Sequence, residues 1–222
     1  MRKLLLLFPL AGLLAACSND AYDTGDSRYS YLRADFVEAV TDANARLVSA
    51  TTDEGVALAF SKPAVASWAT VPDTTYRALL YYNAAPASGL AVEPLSVGRV
   101  YVLMPKAAAD MSEPAATDPV HFQSSWLSAN GSYANLSLAL MTGVADSVDA
   151  RQAIGLVCDS VVAQSDGHST YYYTLSHSQG SVPQYYKSTI YVSIPTKKMT
   201  AGDHVRLSLN TYNGWIVRDF DL

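Results

Sequence analysis

VHFQSSWLSANGSYANLSLAL, residues 120–140, reads as two strands folded back across one turn. Leu136, Leu138 and Leu140 alternate with Asn135, Ser137 and Ala139. A repeat of two sends successive side chains to opposite faces of a sheet. Asn130-Gly131 sits between the two runs. A two-residue hairpin turn needs positive φ, and Asn-Gly is the pair that tolerates it best. The stretch therefore predicts a hairpin of Val120–Leu127 and Tyr133–Leu140.

The same grammar extends in both directions. Val56, Leu58 and Phe60 alternate with Ala57 and Ala59, and Tyr76, Ala78, Leu80 and Tyr82 alternate with Arg77, Leu79 and Tyr81. Ile190, Val192 and Ile194 alternate with Thr189, Tyr191 and Ser193; Val205, Leu207 and Leu209 alternate with His204, Arg206 and Ser208. Turn chemistry separates the runs at Asp53-Glu54-Gly55, Asp166-Gly167 and Asn213-Gly214. No long stretch has helical periodicity; Asp146 to Gln152 is read as a single helical turn. Many short strands joined by Gly and Asn turns predict an all-β protein, a sandwich or a barrel.

Pro105 to Pro119 breaks the pattern, being rich in Ala, Pro, Asp and Glu with no apolar period. A long stretch without its own period reads as a boundary. The expected division is 28–105 with some five strands, a linker at 106–118, and 119–222 with some seven strands.

The first residues have a different logic. Arg2 and Lys3 precede an almost wholly apolar run from Leu4 to Leu14, followed by Ala15, Ala16 and Cys17. This is the order of a secretory signal peptide, too short to span a bilayer as a helix. Leu14-Ala15-Ala16-Cys17 resembles a lipobox, which implies cleavage after residue 16 and lipid on the Cys17 thiol. Two or more acyl chains give stable anchoring. Ser18 and Asn19 follow, without the Asp that retains some lipoproteins in the inner membrane. Asp20, Asp23 and Asp26 with Gly25 and Ser27 make 17–27 a polar tether. The expected location is the outer membrane, facing the periplasm or the exterior.

Charged residues are 16% of the chain and the net charge is −5. No dense Lys/Arg run follows the signal, which argues against nucleic acid as a partner. Of the two cysteines, Cys17 is assigned to lipid, so Cys158 is left without an intrachain disulfide partner. Its apolar run, Ile154 to Cys158, reads as a buried strand, with a nucleophile as the sharper alternative.

The layout of lipobox, acidic tether, five-strand module, Pro-bearing connection and Tyr-rich β module resembles the NigD-like lipoproteins of Gram-negative gut and oral anaerobes. The stretches that carry the resemblance are Tyr29 to Val40, the hairpin Ala45–Phe60, Val92 to Tyr101, and Pro119 to Gly143 with Trp126, Asn130-Gly131 and Leu136-Ser137-Leu138. The resemblance implies a small N-terminal OB-like five-stranded barrel followed by a C-terminal antiparallel β-sandwich. It supplies no catalytic residues. The family name comes from a bacteriocin gene cluster, which implies an immunity or accessory role.

No Gly-x-Ser-x-Gly, His-Glu-x-x-His, phosphate-binding Gly loop or Cys-x-x-Cys occurs. His121, His168, His177 and His204 show no short ligand spacing, so neither a metal nor another cofactor is expected. Asp203, Asp219 and Asp221 are the nearest candidates for a carboxylate pair. The enriched functional type is aromatic: Tyr171-Tyr172-Tyr173, Tyr185-Tyr186, Tyr191 and Trp215. Tyr171 and Tyr173 share one face and Tyr172 takes the other. Tyr171, Tyr173, Tyr191 and Trp215 are the candidate ligand-binding rings, for glycan or protein; the alternative is that Tyr is simply a good strand residue. The expected role is a non-catalytic binding or interaction lipoprotein. A bacteriocin-associated immunity protein and a hydrolase of envelope polysaccharide or peptide are the other two readings.

Cys17→Ala is expected to give an unprocessed or water-soluble product. The wild type is expected to partition into detergent with lipid mass on its N-terminal peptide. Wild type recovered from the aqueous phase with a free Cys17 would contradict the reading.

Overall fold

The computed structural model describes residues 32–83, 91–145, 147 and 149–222. The expected signal peptide, Cys17 and the expected tether lie outside the described residues.

Five strands precede the connection: β1 (Leu32–Thr41), β2 (Leu47–Thr52), β3 (Ala57–Ala64), β4 (Thr75–Asn83) and β5 (Ala91–Val102). Seven follow it: β7 (His121–Leu127), β8 (Tyr133–Thr142), β9 (Ala153–Ala163), β10 (Ser169–Ser178), β11 (Tyr186–Pro195), β12 (His204–Thr211) and β13 (Gly214–Asp221). A short β6 (Pro105–Ala107) lies within the connection itself. The four expected turns all form, with Gly55, Gly131, Gly167 and Gly214 at positive φ. The expected helical turn at 146–152 falls partly outside the described residues; within them the Ala150 N–H donates to the Ser147 carbonyl.

β1 pairs with both β2 and β4, β4 pairs with β5, and β2 pairs with β3. A parallel contact of Ala59 with Ala91 and Phe60 with Val92 joins β3 to β5 and closes the ring into a five-stranded barrel. Its interior is Val37, Ala39, Leu47, Ala50, Ala78, Leu80 and Tyr82, the inward half of each alternating run. Trp68 lies edge-on to Tyr76 at 5.6 Å and packs against this core.

The second core lies between two sheets. β5 leaves the barrel and pairs in parallel with β11, so one eight-stranded sheet, β3-β2-β1-β4-β5-β11-β8-β7, runs through both halves. The five-stranded sheet β13-β12-β10-β9-β6 faces it. Leu136, Leu138, Leu140, Val192 and Ile194 on one side meet Leu156, Tyr173, Leu175, Val205, Leu207 and Leu209 on the other. The sandwich departs from the expected antiparallel order at β6–β9 and β10–β12, which are parallel.

Residues 106–118 connect the two cores and are bonded to the five-stranded sheet at both ends. β6 pairs with β9, and the Asp118 and His177 N–H groups bond to the carbonyls of His177 and Ala116. Asn210 Nδ2 donates to the Thr117 carbonyl at 2.8 Å. The segment is therefore a strap across the end of the five-stranded sheet. Its lack of apolar period reflects backbone rather than side-chain attachment.

The barrel meets the sandwich through a polar centre with an aromatic rim. Arg77 of β4 is buried and forms a two-point ion pair with Asp53, at 2.5 and 2.7 Å. Its Nε donates to Ser193 Oγ, and Nη2 donates to Asn135 Oδ1, both at 3.3 Å. The guanidinium lies 4.2 Å from the Tyr133 ring centre. Phe36 of β1 enters between Trp126 and Tyr191, edge-on to both, at 5.2 and 5.3 Å. Glu38 accepts from Tyr133 Oη at 2.7 Å and from Lys197. Burial works to raise its carboxyl, but these bonds and charges outweigh it and hold Glu38 below its usual range.

Removing one partner of a buried ion pair strands the other charge away from water. Arg77→Ala is expected to lower stability by about 3–5 kcal/mol in denaturant unfolding. Lys62→Ala, which breaks an exposed pair with Glu93, is expected to cost less than about 1 kcal/mol. Equal, small effects would show that the junction does not depend on Arg77.

Candidate ligand-binding face

The outer face of the five-stranded sheet is laid down by alternation. On β10, Tyr171, Tyr173, Leu175 and His177 turn inward, so Thr170, Tyr172, Thr174 and Ser176 turn outward. On β12 the outward set is His204, Arg206, Ser208 and Asn210; on β13 it is Trp215, Val217, Asp219 and Asp221. Cross-strand register assembles these into rows. Thr170, His204 and Asp221 form one, and Ser160, Tyr172, Arg206 and Asp219 the next. Val157, Thr174, Ser208 and Val217 follow, and Asn210 with Trp215 ends the face.

Two clefts open on this face. One, of about 450 Å³, is lined by Thr170, Tyr172, His204, Arg206, Asp219 and Asp221 together with the Gln164–Asp166 turn. The other, of about 430 Å³, lies between the strap and the sheet, with Met111, Glu113, Val157, Asp159 and Thr174 on its walls. Both volumes lie within the range of about 300–1,000 Å³ usual for small-molecule sites.

The charges of the first cleft are matched internally. His204 Nδ1 lies 2.7 Å from Asp221 Oδ1, and Arg206 Nε lies 3.6 Å from Asp219 Oδ1. In the second, Thr174 Oγ1 donates to Asp159 Oδ2 at 2.7 Å. Asp203, the third candidate carboxylate, is enclosed and accepts from the Ser169 and Thr200 N–H groups, both at 2.8 Å. The Thr200 and Ser169 N–H groups hold its carboxyl below the usual range. Asp203 is thus a turn anchor. A general acid–base pair needs two carboxyls facing one substrate bond with different proton affinities. Here each candidate carboxylate is engaged by a different basic or backbone group.

The four candidate rings separate. Tyr173 is 3% exposed and belongs to the sandwich core; burial pushes its hydroxyl far above the usual value. Tyr171 packs half-buried against the same core. Tyr191 is held by Phe36 at the junction. These three serve packing, so Tyr171 and Tyr173 do not form the outward platform expected of them. Trp215 is 57% exposed and lies on the outer face. Tyr172, which the candidate set omitted, joins it there. The deciding signal was in the sequence: Tyr172 shares its face with Thr170, Thr174 and Ser176, whereas Tyr171 and Tyr173 share theirs with Leu175.

The histidines stay apart. His121 stacks on Tyr212 at 4.3 Å, His177 Nδ1 lies 3.1 Å from the Asp118 carbonyl, and His204 pairs with Asp221. Among the described residues no three His, Cys, Asp or Glu groups converge as a metal site. Cys158 packs against the sandwich core. Burial and the adjacent Asp159 carboxylate push its thiol up, away from the reactive thiolate. No helix among the described residues is long and apolar enough to cross a membrane.

No protein-family model and no curated protein sequence matches the chain. Solved structures do. A NigD-like immunity protein from Bacteroides caccae superposes with a TM-score of 0.65 at 21% identity, over 85% of this chain and 91% of its own. A candidate toxin-related protein from Parabacteroides distasonis gives 0.60 at 17% identity, over 85% and 92%. A candidate lipoprotein from Bacteroides fragilis gives 0.55 at 13% identity, over 85% and 96%. Likeness at these identities establishes a shared fold along nearly the whole length.

Tyr173→Ala is expected to cost about 3–5 kcal/mol, as other buried aromatic truncations do. Tyr172→Ala is expected to stay within about 1 kcal/mol. Thermal or denaturant unfolding of the two variants checks the assignment of faces; a reversed order would place Tyr172 inside.

Proposed function

We propose that the chain is a NigD-like lipoprotein of the outer membrane, anchored through Cys17, and that it works by binding rather than by catalysis. The N-terminal ring of strands is then the OB-like module and residues 119–222 the sandwich module. The lipobox and the fold shared with a NigD-like immunity protein and a candidate lipoprotein support the assignment. The observation that carries the binding reading is the outer face of the five-stranded sheet. It displays Tyr172 and Trp215 among matched charges and hydroxyls, beside two clefts of ligand size. Rigid aromatic side chains offer contact area at low entropic cost. A strand scaffold holds them in fixed register.

The reading does not depend on ligand class, so its test blocks the face sterically. Ser208 lies at the centre of the outer face, between Thr174 and Val217. Ser208→Trp is expected to abolish retention of envelope material by the detergent-solubilised full chain. Ala59→Trp, an exposed change on barrel strand β3, is expected to leave retention unchanged. Retention that survives Ser208→Trp and fails with Ala59→Trp would move the working surface to the barrel.

The immunity reading keeps one specific support, the name of the 21%-identical structure from Bacteroides caccae. It predicts a protein partner.

A further inference from the structure

Resting on the reading of the outer sheet face as the binding surface, we infer that the cleft around Tyr172 takes a neutral, hydroxyl-rich ligand, a sugar unit of an uncharged glycan. The ring of Tyr172 stacks on it, and the flanking ion pairs hydrogen-bond its hydroxyls.

Three observations lead there. The first is that Tyr172 is free. Tyr171 and Tyr173 contact each other at 6.2 Å, Tyr191 is held by Phe36, and Tyr82 bonds to Asp35 at 2.6 Å. Tyr172 has no ring, cation or hydrogen-bond partner among the described residues, although it projects from the middle of the sheet. It is half-buried, and its uncovered part lines the cleft. An aromatic face flanked by polar groups suits a ring with one apolar side and a hydroxylated rim.

The second is charge. The cleft holds Asp166, Asp219 and Asp221 against Arg206 and His204. An anionic ligand meets three carboxylates and one permanent cation, and that cation already faces Asp219 at 3.6 Å. Phosphate and sulfate groups bind where Arg or Lys is in excess, which is the reverse of this balance. A cationic ligand gains only by competing with Arg206 and His204 for the same oxygens. A neutral ligand breaks neither pair.

The third is spare hydrogen-bonding capacity. A carboxylate has about four acceptor sites and a guanidinium five donors. The His204–Asp221 and Arg206–Asp219 pairs each use one atom from either side. The four side chains are about half exposed or more, so their remaining oxygens and N–H groups are open to solvent, and beside them Gln164 Nε2 donates to Thr170 Oγ1 at 3.1 Å. Paired ions held in register offer donors and acceptors side by side, which vicinal hydroxyls satisfy together. Hydrogen bonds to ionised groups are stronger than neutral ones. A protein partner with a large apolar anchor finds less here, because the walls are charged or hydroxylated.

The test is calorimetric titration of the detergent-solubilised full chain with a panel of neutral oligosaccharides and their sulfated or uronic-acid counterparts. Binding to at least one neutral member is expected, with its charged counterpart at least about tenfold weaker, reflecting a like-charge penalty. Tyr172→Ala is expected to weaken binding about tenfold or more, the loss of a buried aromatic contact. Tyr172→Phe keeps the ring and is expected to lose only about threefold, one hydroxyl's hydrogen bond. Preference for the charged counterparts, or indifference to Tyr172→Ala, overturns the inference. No glycan binding, while envelope material is still retained in a Ser208-dependent manner, also overturns the glycan class and leaves the binding face standing. Loss of both removes the face as well.

Discussion

A single arginine organises this molecule. Arg77 projects outward from a barrel strand, where alternation alone would leave it in water. Instead it is buried under the sandwich, with its charge met by Asp53 and two further bonds donated to Ser193 and Asn135. A guanidinium taken out of water demands such partners. That demand explains why β8 and β11, apolar on their inner face, carry Asn135 and Ser193 on the other. The polar residues of two strands more than fifty positions away are the complement of one barrel residue. Phe36 packs between Trp126 and Tyr191 beside the same centre, with its ring 5.5 Å from the Arg77 guanidinium.

This constraint assigns the surfaces. Because the barrel covers the outside of the eight-stranded sheet around Tyr133, Asn135 and Ser193, β8 is buried on both faces over most of its length. Among the described residues, the five-stranded sheet has no such cover beyond the strap at one end. Its outer rows stay open, and their charges pair with each other rather than with a neighbouring module. Structural and displayed polar groups can thus be told apart by what they contact. Asp53 and Asp203 hold the fold. Asp219 and Asp221 face the cleft.

Much of the fold was legible in the sequence, because strand alternation and Gly or Asn turns are local signals. The four turns and the count of five and seven strands follow from residues that lie next to one another in the chain. The junction was not legible, since Arg77 meets Ser193 and Asn135 at separations of 116 and 58 residues. No local pattern marks Arg77 or Leu79 as buried. The strap was opaque for a related reason: its attachment is through backbone groups and Asn210, and backbone bonding leaves no trace in composition. The aromatic set misled because Tyr serves both packing and display. Alternation separated Tyr172 from its neighbours, yet it is symmetric about the strand. Only the company each face keeps, Thr and Ser against Leu, breaks that symmetry. Tyr191 and Trp126 mark a junction, where amphipathic rings bridge an apolar body and a polar centre.

On the proposed reading, ligand meets this protein on the outer face of the five-stranded sheet. Hydroxyl-radical footprinting of the full chain, with and without envelope extract, reads it ring by ring. Extract is expected to protect Tyr172 and Trp215 from oxidation and to leave Tyr81 of barrel strand β4, and Tyr101 where β5 runs beside β11, unchanged. Protection of Tyr81 and Tyr101 with Tyr172 and Trp215 unaffected would contradict it.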